Sequence, residues 1–265
     1  MFSKIFLGLA GAATVLAQQP VESLYEVDAS LPGHTIYRPS DMSSFEQMPV
    51  VVWGNGACSA DSLSHVNFNL EVAAWGIVLI SQGTPGQQGS TTPDMMKQAI
   101  DWISTNAGTG NYANVNASRI AAAGMSCGGT EAYAMVDDPR VSAYGIFNSG
   151  NLDPAQTTSI MPQINVPIFF FLGGPSDIAY ENGMRDYAAV NQGVPTWVGN
   201  LPVGHGGTYG DPRGGKFGTA AQQFFRWALR ADSSVNSFFT DRGAQADGWT
   251  VESKSLENLS PGEPW

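Results

Sequence analysis

The chain has 265 residues, 43% hydrophobic and 13% charged, with a formal net charge of -11 from 23 Asp and Glu against 12 Lys and Arg. This composition is too apolar for a disordered chain, and its acidity makes nucleic acids and anionic membrane surfaces poor partners. The acidity names no substrate, because net charge bears on solubility and association rather than on chemistry.

Residues 1–17 carry Lys4, an apolar stretch over 5–16 and the small-residue run Val15-Leu16-Ala17. The pattern predicts a secretory signal peptide; the apolar run is short and rich in Ala and Gly for a membrane anchor. The remainder, 18–265, is expected to be extracellular and soluble, a monomer with no membrane partner. Without a linker or repeat to divide it, it reads as one large α/β domain able to bury a sizeable core. Two N-glycosylation sequons, Asn116-Ala-Ser118 and Asn258-Leu-Ser260, fall in stretches that read as loop and tail.

Residues 31–37 read as a short extended segment, followed by a polar loop over 38–47. Met48-Pro-Val-Val-Val-Trp53 reads as a central parallel strand that runs into Gly54-Asn55-Gly56-Ala57-Cys58. An amphipathic helix is predicted over 61–75, with Leu63, Val66, Leu70 and Ala73 or Ala74 on one face. A strand over 76–80, a Gly, Gln, Ser and Thr-rich loop over 81–92 and a helix from Pro93 to about residue 105 come next. A polar loop over 106–116 leads into a strand at Ile120-Ala-Ala-Ala123. Strands and helices alternating at this spacing imply a parallel sheet with right-handed crossovers and helices on both faces.

That strand enters Gly124-Met125-Ser126-Cys127-Gly128, a G-x-S-x-G sequence followed by the helix formers of 130–135. In a nucleophile elbow the chain turns sharply from strand to helix, so a larger residue on either flank would collide with its neighbours. Ser126 is the candidate nucleophile, the alternative being an ordinary glycine-rich strand-to-helix loop. The Cys127 amide would stand at a helix start, where developing negative charge is favoured. A second oxyanion donor is expected from the loop after the 48–53 strand, and the Ala57 amide is nominated; a plain tight turn is the alternative.

Strands are predicted over 141–147 and 166–172, and the connection over 148–163 is too short for a substantial lid. The second of these strands ends in Gly173-Gly-Pro-Ser-Asp177, and the next, over 194–201, leads to Pro202-Val-Gly-His205-Gly-Gly207. An acid just past a strand end is placed to orient a histidine from the following loop. Asp177 and His205 are therefore the candidate acid and base, with Asp153 and Asp211 as weaker rivals to Asp177. Of the other histidines, His34 precedes the first core strand, and His65 is expected to cap or lie on the surface of the first helix. A final helix is predicted over 219–229, docking through Phe224, Phe225, Trp227 and Ala228. The segment 232–265 reads as a polar tail with few apolar anchors, wrapped on the surface, and the seven tryptophans read mainly as packing residues.

The order Ser126, Asp177, His205 and the motifs at 51–56, 124–129, 173–177 and 204–207 resemble a secreted alpha/beta hydrolase. The likeness covers roughly residues 45–230 and is to the branch of dienelactone-hydrolase-like esterases, chlorophyllase-like proteins and polyester hydrolases. It implies an alpha/beta-hydrolase fold with little or no lid and hydrolysis of an ester, small or polymeric, through an acyl-enzyme. No cofactor or metal is implied. Members acting on polyesters usually carry a histidine or aromatic residue beside the oxyanion loop, where this chain has Asn55-Gly-Ala-Cys58, so polymer specificity is not implied. A lactonase or peptidase with the same three residues, or a catalytically quiet binding protein, are the competing readings. If the Ala57 and Cys127 amides converge on one oxygen, Cys58 and Cys127 come within disulfide reach, which a secreted chain with two cysteines favours. Two free buried thiols or a cysteine nucleophile are the alternatives.

Overall fold

A computed structural model describes residues 19–259. The expected signal segment, Ser260 of the second sequon and Trp265 lie outside them.

Nine strands form one sheet: β1 (Ser23–Glu26), β2 (His34–Pro39), β3 (Met48–Gly54), β4 (Val78–Gln82), β5 (Val115–Met125), β6 (Val141–Phe147), β7 (Ile168–Leu172), β8 (Thr196–Asn200) and β9 (Thr250–Lys254). Their spatial order is β1-β2-β4-β3-β5-β6-β7-β8-β9. The six strands from β4 through β8 run parallel, while β1 and β2 at one edge and β9 at the other pair antiparallel. The central strands are buried on both faces, which explains why β3 and β7 read as unbroken apolar runs rather than alternating ones. Alternation reappears as a division between two cores. Val51 and Trp53, with Phe169 and Phe171, face one layer, and Val50 and Val52, with Ile168 and Phe170, face the other.

Helices α1 (Val66–Ala74) and α6 (Gly215–Arg230) cover the first face through Phe68, Val72, Phe217 and Phe224. The second face is covered by α2 (Pro93–Asn106), α3 (Cys127–Tyr133) and α5 (Tyr180–Ala189), through Met96, Ile100, Tyr133 and Tyr187. The expected α/β class and mostly parallel sheet are thus present.

Three local expectations need correction, and one stands. The helix predicted over 61–75 divides: Asp61 accepts from the Leu63 amide at 3.0 Å and starts a 3-10 turn, Ser62–His65, before α1 begins. Helix α5, absent from the sequence reading, fills the space between Asp177 and β8. Asn116 lies inside β5 rather than in a loop, because Val115 already pairs with Met48, and its side-chain amide donates to Gln47. Asn258 is exposed in a 3-10 turn, Leu256–Asn258, as expected of a tail.

The largest correction concerns 232–259, which is no surface wrap. Phe239 packs 5.2 Å from Phe169 and 5.3 Å from Trp197, and Trp249 lies 5.1 Å from Phe217. A few aromatic anchors suffice, since each buries far more area than an aliphatic residue. They carry β9 onto the edge of β8, where Val198 pairs with Glu252.

Candidate active site

Ser126 sits between β5 and α3 with φ 53° and ψ -119°, a conformation that non-glycine residues rarely adopt. The surroundings hold it there. Its amide donates to the Phe147 carbonyl at 2.9 Å, and its own carbonyl accepts from the Ser149 hydroxyl at 2.6 Å and the Gly129 amide at 2.9 Å. A Cβ at Gly128 would lie 2.1 Å from the Gly54 carbonyl, and one at Gly124 would lie 2.4 Å from Gly128. Only glycine permits the β3 loop and the elbow to approach this closely.

Three strand ends converge here. His205 Nε2 is 2.9 Å from Ser126 Oγ, and His205 Nδ1 is 2.6 Å from Asp177 Oδ1. In the tautomer protonated at Nδ1, the ring donates to the carboxylate and accepts from the serine hydroxyl. Asp177 is buried, and its remaining acceptor sites are filled by the amides of Ala179 and Gly173, both at 2.9 Å, and by Asn148 Nδ2 at 2.7 Å. Burial pushes its pKa up, but these donors and His205 outweigh burial and leave the carboxyl below its usual value. The three sequence-nominated side chains therefore form one continuous hydrogen-bonded chain. The rivals do not join it. Asp153 caps α4 (Pro154–Ile160) by accepting from the Ala155 amide at 2.8 Å, and Asp211 precedes a 3-10 turn in an exposed loop, its backbone carbonyl accepting from the Gly214 amide at 2.9 Å.

Cys58 and Cys127 are joined in a disulfide, with a Cα–Cα distance of 5.1 Å. It ties the loop after β3 to the first residue of α3. The loop is otherwise held by Asn55, whose side-chain amide donates to the carbonyls of Ser59 and Gln82, both at 2.9 Å. Cys127 lines a cavity of about 190 Å³ that opens on Ser126 and His205; Ala57 is exposed and outside that lining, with φ 55°. None of the described tryptophans lines this cavity.

His65 differs from expectation. It is buried beneath the β3 loop, 4.8 Å from the Tyr209 ring and 5.7 Å from Trp53, and a Cβ on Gly56 would touch it. Burial pushes its pKa down to about 4. His34 is also buried, with Nε2 2.8 Å from the Met95 carbonyl. Ring packing sets the His65 site and the Met95 carbonyl the His34 site, and both partners come from elsewhere in the chain, beyond what local pattern registers.

Two buried polar residues, one bonded to the site and one beneath the β3 loop, escaped the sequence reading. Asn148, fully buried at the end of β6 with φ 43°, bridges the Tyr209 hydroxyl and Asp177. Its signal is an asparagine at a strand end, where this residue tolerates positive φ and where sheet-top sites assemble. Glu131, one turn into α3, is buried and accepts from Thr91 Oγ1 at 3.0 Å, next to the Cys58 carbonyl that receives the Thr91 amide at 2.7 Å. Burial pushes its carboxyl up to about 7, against the hydrogen bonds of Thr91 and Gln82. Comparison with known proteins adds nothing to this geometry, since no protein-family model and no curated protein matches the chain.

Proposed function

We propose that the protein is a serine hydrolase of the alpha/beta-hydrolase fold that cleaves carboxylic esters through an acyl-enzyme. The observation that carries this reading is the chain Ser126 Oγ, His205 Nε2, His205 Nδ1, Asp177 Oδ1, with contacts of 2.9 and 2.6 Å. Each member follows a parallel strand at its carboxyl end, and the serine occupies a strained elbow.

In the proposed reaction His205 Nε2 takes the Ser126 proton as Oγ adds to the ester carbonyl. The carbonyl π electrons move to oxygen, and the Cys127 amide stabilises the resulting oxyanion, with the second donor assigned to the β3 loop that carries Ala57. Collapse of this intermediate breaks the bond to the alcohol oxygen, which leaves with the proton from His205. Water then gives a proton to His205 and adds to the acyl-enzyme. The second collapse releases the acid, and Ser126 recovers its proton. Asp177 keeps the imidazole oriented and stabilises its charged form throughout. An extracellular site of action is supported by the signal-like segment and the disulfide. Asn116 and Asn258 are the proposed glycan sites.

Fluorophosphonate labelling and turnover of p-nitrophenyl acetate and butyrate test the reading. Wild type is expected to label and turn over. Ser126→Ala should lose the label and at least roughly 10⁴-fold in kcat. A folded wild type that does neither would favour a binding protein.

A further inference from the structure

A lone aliphatic side chain in water is ordinary, but a group of them around a polar cleft is not. Five large hydrophobic residues are exposed among the described residues, and Leu152, Ile178 and Val203 are three of them. They occupy the three loops that also carry Asn148, Asp177 and His205. Leu152 is 76% and Ile178 80% exposed, and both line the cavity at Ser126.

Neither is exposed because its backbone is loose. Asn151, just before Leu152, donates its amide to the buried Asp186 carboxylate at 2.6 Å and its side chain at 3.1 Å, while its carbonyl accepts from Arg185. Thr157 Oγ1 of α4 donates to the same carboxylate at 2.5 Å, so the whole β6–α4 connection is fastened to α5. Ile178 stands between Asp177 and Ala179, whose own hydrogen bond closes the turn around it at 2.9 Å. The two aliphatic groups are held in place with their surfaces uncovered, an arrangement preorganised for a guest.

The rest of the lining limits what that guest can be. Among the described residues no Lys, Arg, Asp or Glu side chain lines the cavity, whose polar groups come from residues such as Thr130, Ser149 and Asn182. A substrate carboxylate or ammonium would give up water there and meet no opposite charge, a costly exchange. The net charge of -11 disfavours anions further. At about 190 Å³ the cavity also falls below the roughly 300–1,000 Å³ that encloses a drug-sized ligand, so the guest is short.

We infer that Leu152 and Ile178 clamp a short, uncharged aliphatic group of the ester beside the scissile carbonyl, and that they set the enzyme's chain-length preference. This rests on the ester-hydrolase reading above. The aliphatic group could belong to the acyl or the alcohol part, and a substrate series separates the two.

The experiment measures kcat/KM for p-nitrophenyl acetate, butyrate and hemisuccinate and for methyl and butyl acetate, in wild type, Leu152→Ala and Ile178→Ala. Both side chains are mostly solvent-exposed, so the variants should fold. Wild type is expected to favour the butyl-length member of one arm by about tenfold over its short partner, and butyrate over the anionic hemisuccinate by at least about tenfold. Each variant should lower the length preference about three- to tenfold, through a larger loss on the longer ester than on the short one. The arm that responds identifies the acyl or alcohol side. An unchanged length preference in both variants, or hemisuccinate turned over as well as butyrate, overturns the clamp while the hydrolase reading stands. If wild type cleaves none of these esters and Ser126 does not label, the hydrolase reading fails and the clamp fails with it.

Discussion

Asn148 Nδ2 lies 2.7 Å from Asp177 Oδ2, on the side of the carboxylate opposite the one that receives His205. Its Oδ1 accepts from the buried Tyr209 hydroxyl, and its Nδ2 also approaches the Gly204 carbonyl at 3.3 Å, one residue before His205. A single buried amide thus connects the acid with the loop carrying the base.

On the proposed reading Asn148 positions the acid, and its removal should be felt both in stability and in the pH profile. Asn148→Ala leaves the Tyr209 hydroxyl without its acceptor, at a cost of about 1–3 kcal/mol. It also withdraws a donor that lowers the Asp177 pKa, so that pKa should rise and the loss of activity and stability in strong acid, where the carboxylate is protonated, should begin at a higher pH. A fall of about tenfold in kcat/KM is expected at neutral pH. Asn148→Gly, which relieves the 43° φ, separates backbone strain from the lost amide. A profile and stability equal to wild type in both variants would show that the bridge does not position the acid.

The disulfide should matter for stability and for turnover by separate routes. Its cysteines are 69 residues apart in sequence, and closing a loop of that length stabilises by about 4 kcal/mol on the chain-entropy treatment. Cys58→Ala with Cys127→Ala should lower the unfolding free energy by about that amount in urea titrations. The loop that carries Ala57 would then be untied from the first residue of α3, so kcat should fall while fluorophosphonate still labels Ser126. An unchanged kcat would mean that Asn55 and the Thr91 amide on the Cys58 carbonyl keep the β3 loop in place without the disulfide.

Glu131 makes stability depend on pH in an unusual direction. The native state raises its carboxyl pKa from 4.5 to about 7, so folding favours the protonated form. Its contribution is complete below about pH 4.5 and is lost as pH rises through about 7, a change on the order of 2–3 kcal/mol. Glu131→Gln retains the volume and an acceptor for Thr91 but does not titrate. The variant should match wild type near pH 4 and exceed it by about 2 kcal/mol at pH 8 in denaturant unfolding. Equal stability at pH 8 would place the carboxylate in a better-solvated setting than its burial suggests.

What was legible in the sequence is what near neighbours along the chain dictate. The apolar runs of β3, β6 and β7 announce strands buried on both faces, because a parallel sheet leaves no solvated side to alternate with. Gly124 and Gly128 mark the elbow because their missing side chains are a local steric demand. Asp177 and His205 could be nominated from their places after strands. Tertiary packing decided the rest. Phe239 and Trp249 each find distant rings on the sheet, so a segment polar on average enters the core. His65 is buried because Tyr209, 144 positions later, closes over it. Asn148 acquires its role only when β6, β7 and the loop after β8 lie side by side, and Leu152 and Ile178 become one surface only there. These relations depend on which residues meet in space, and periodicity along a chain carries no information about that.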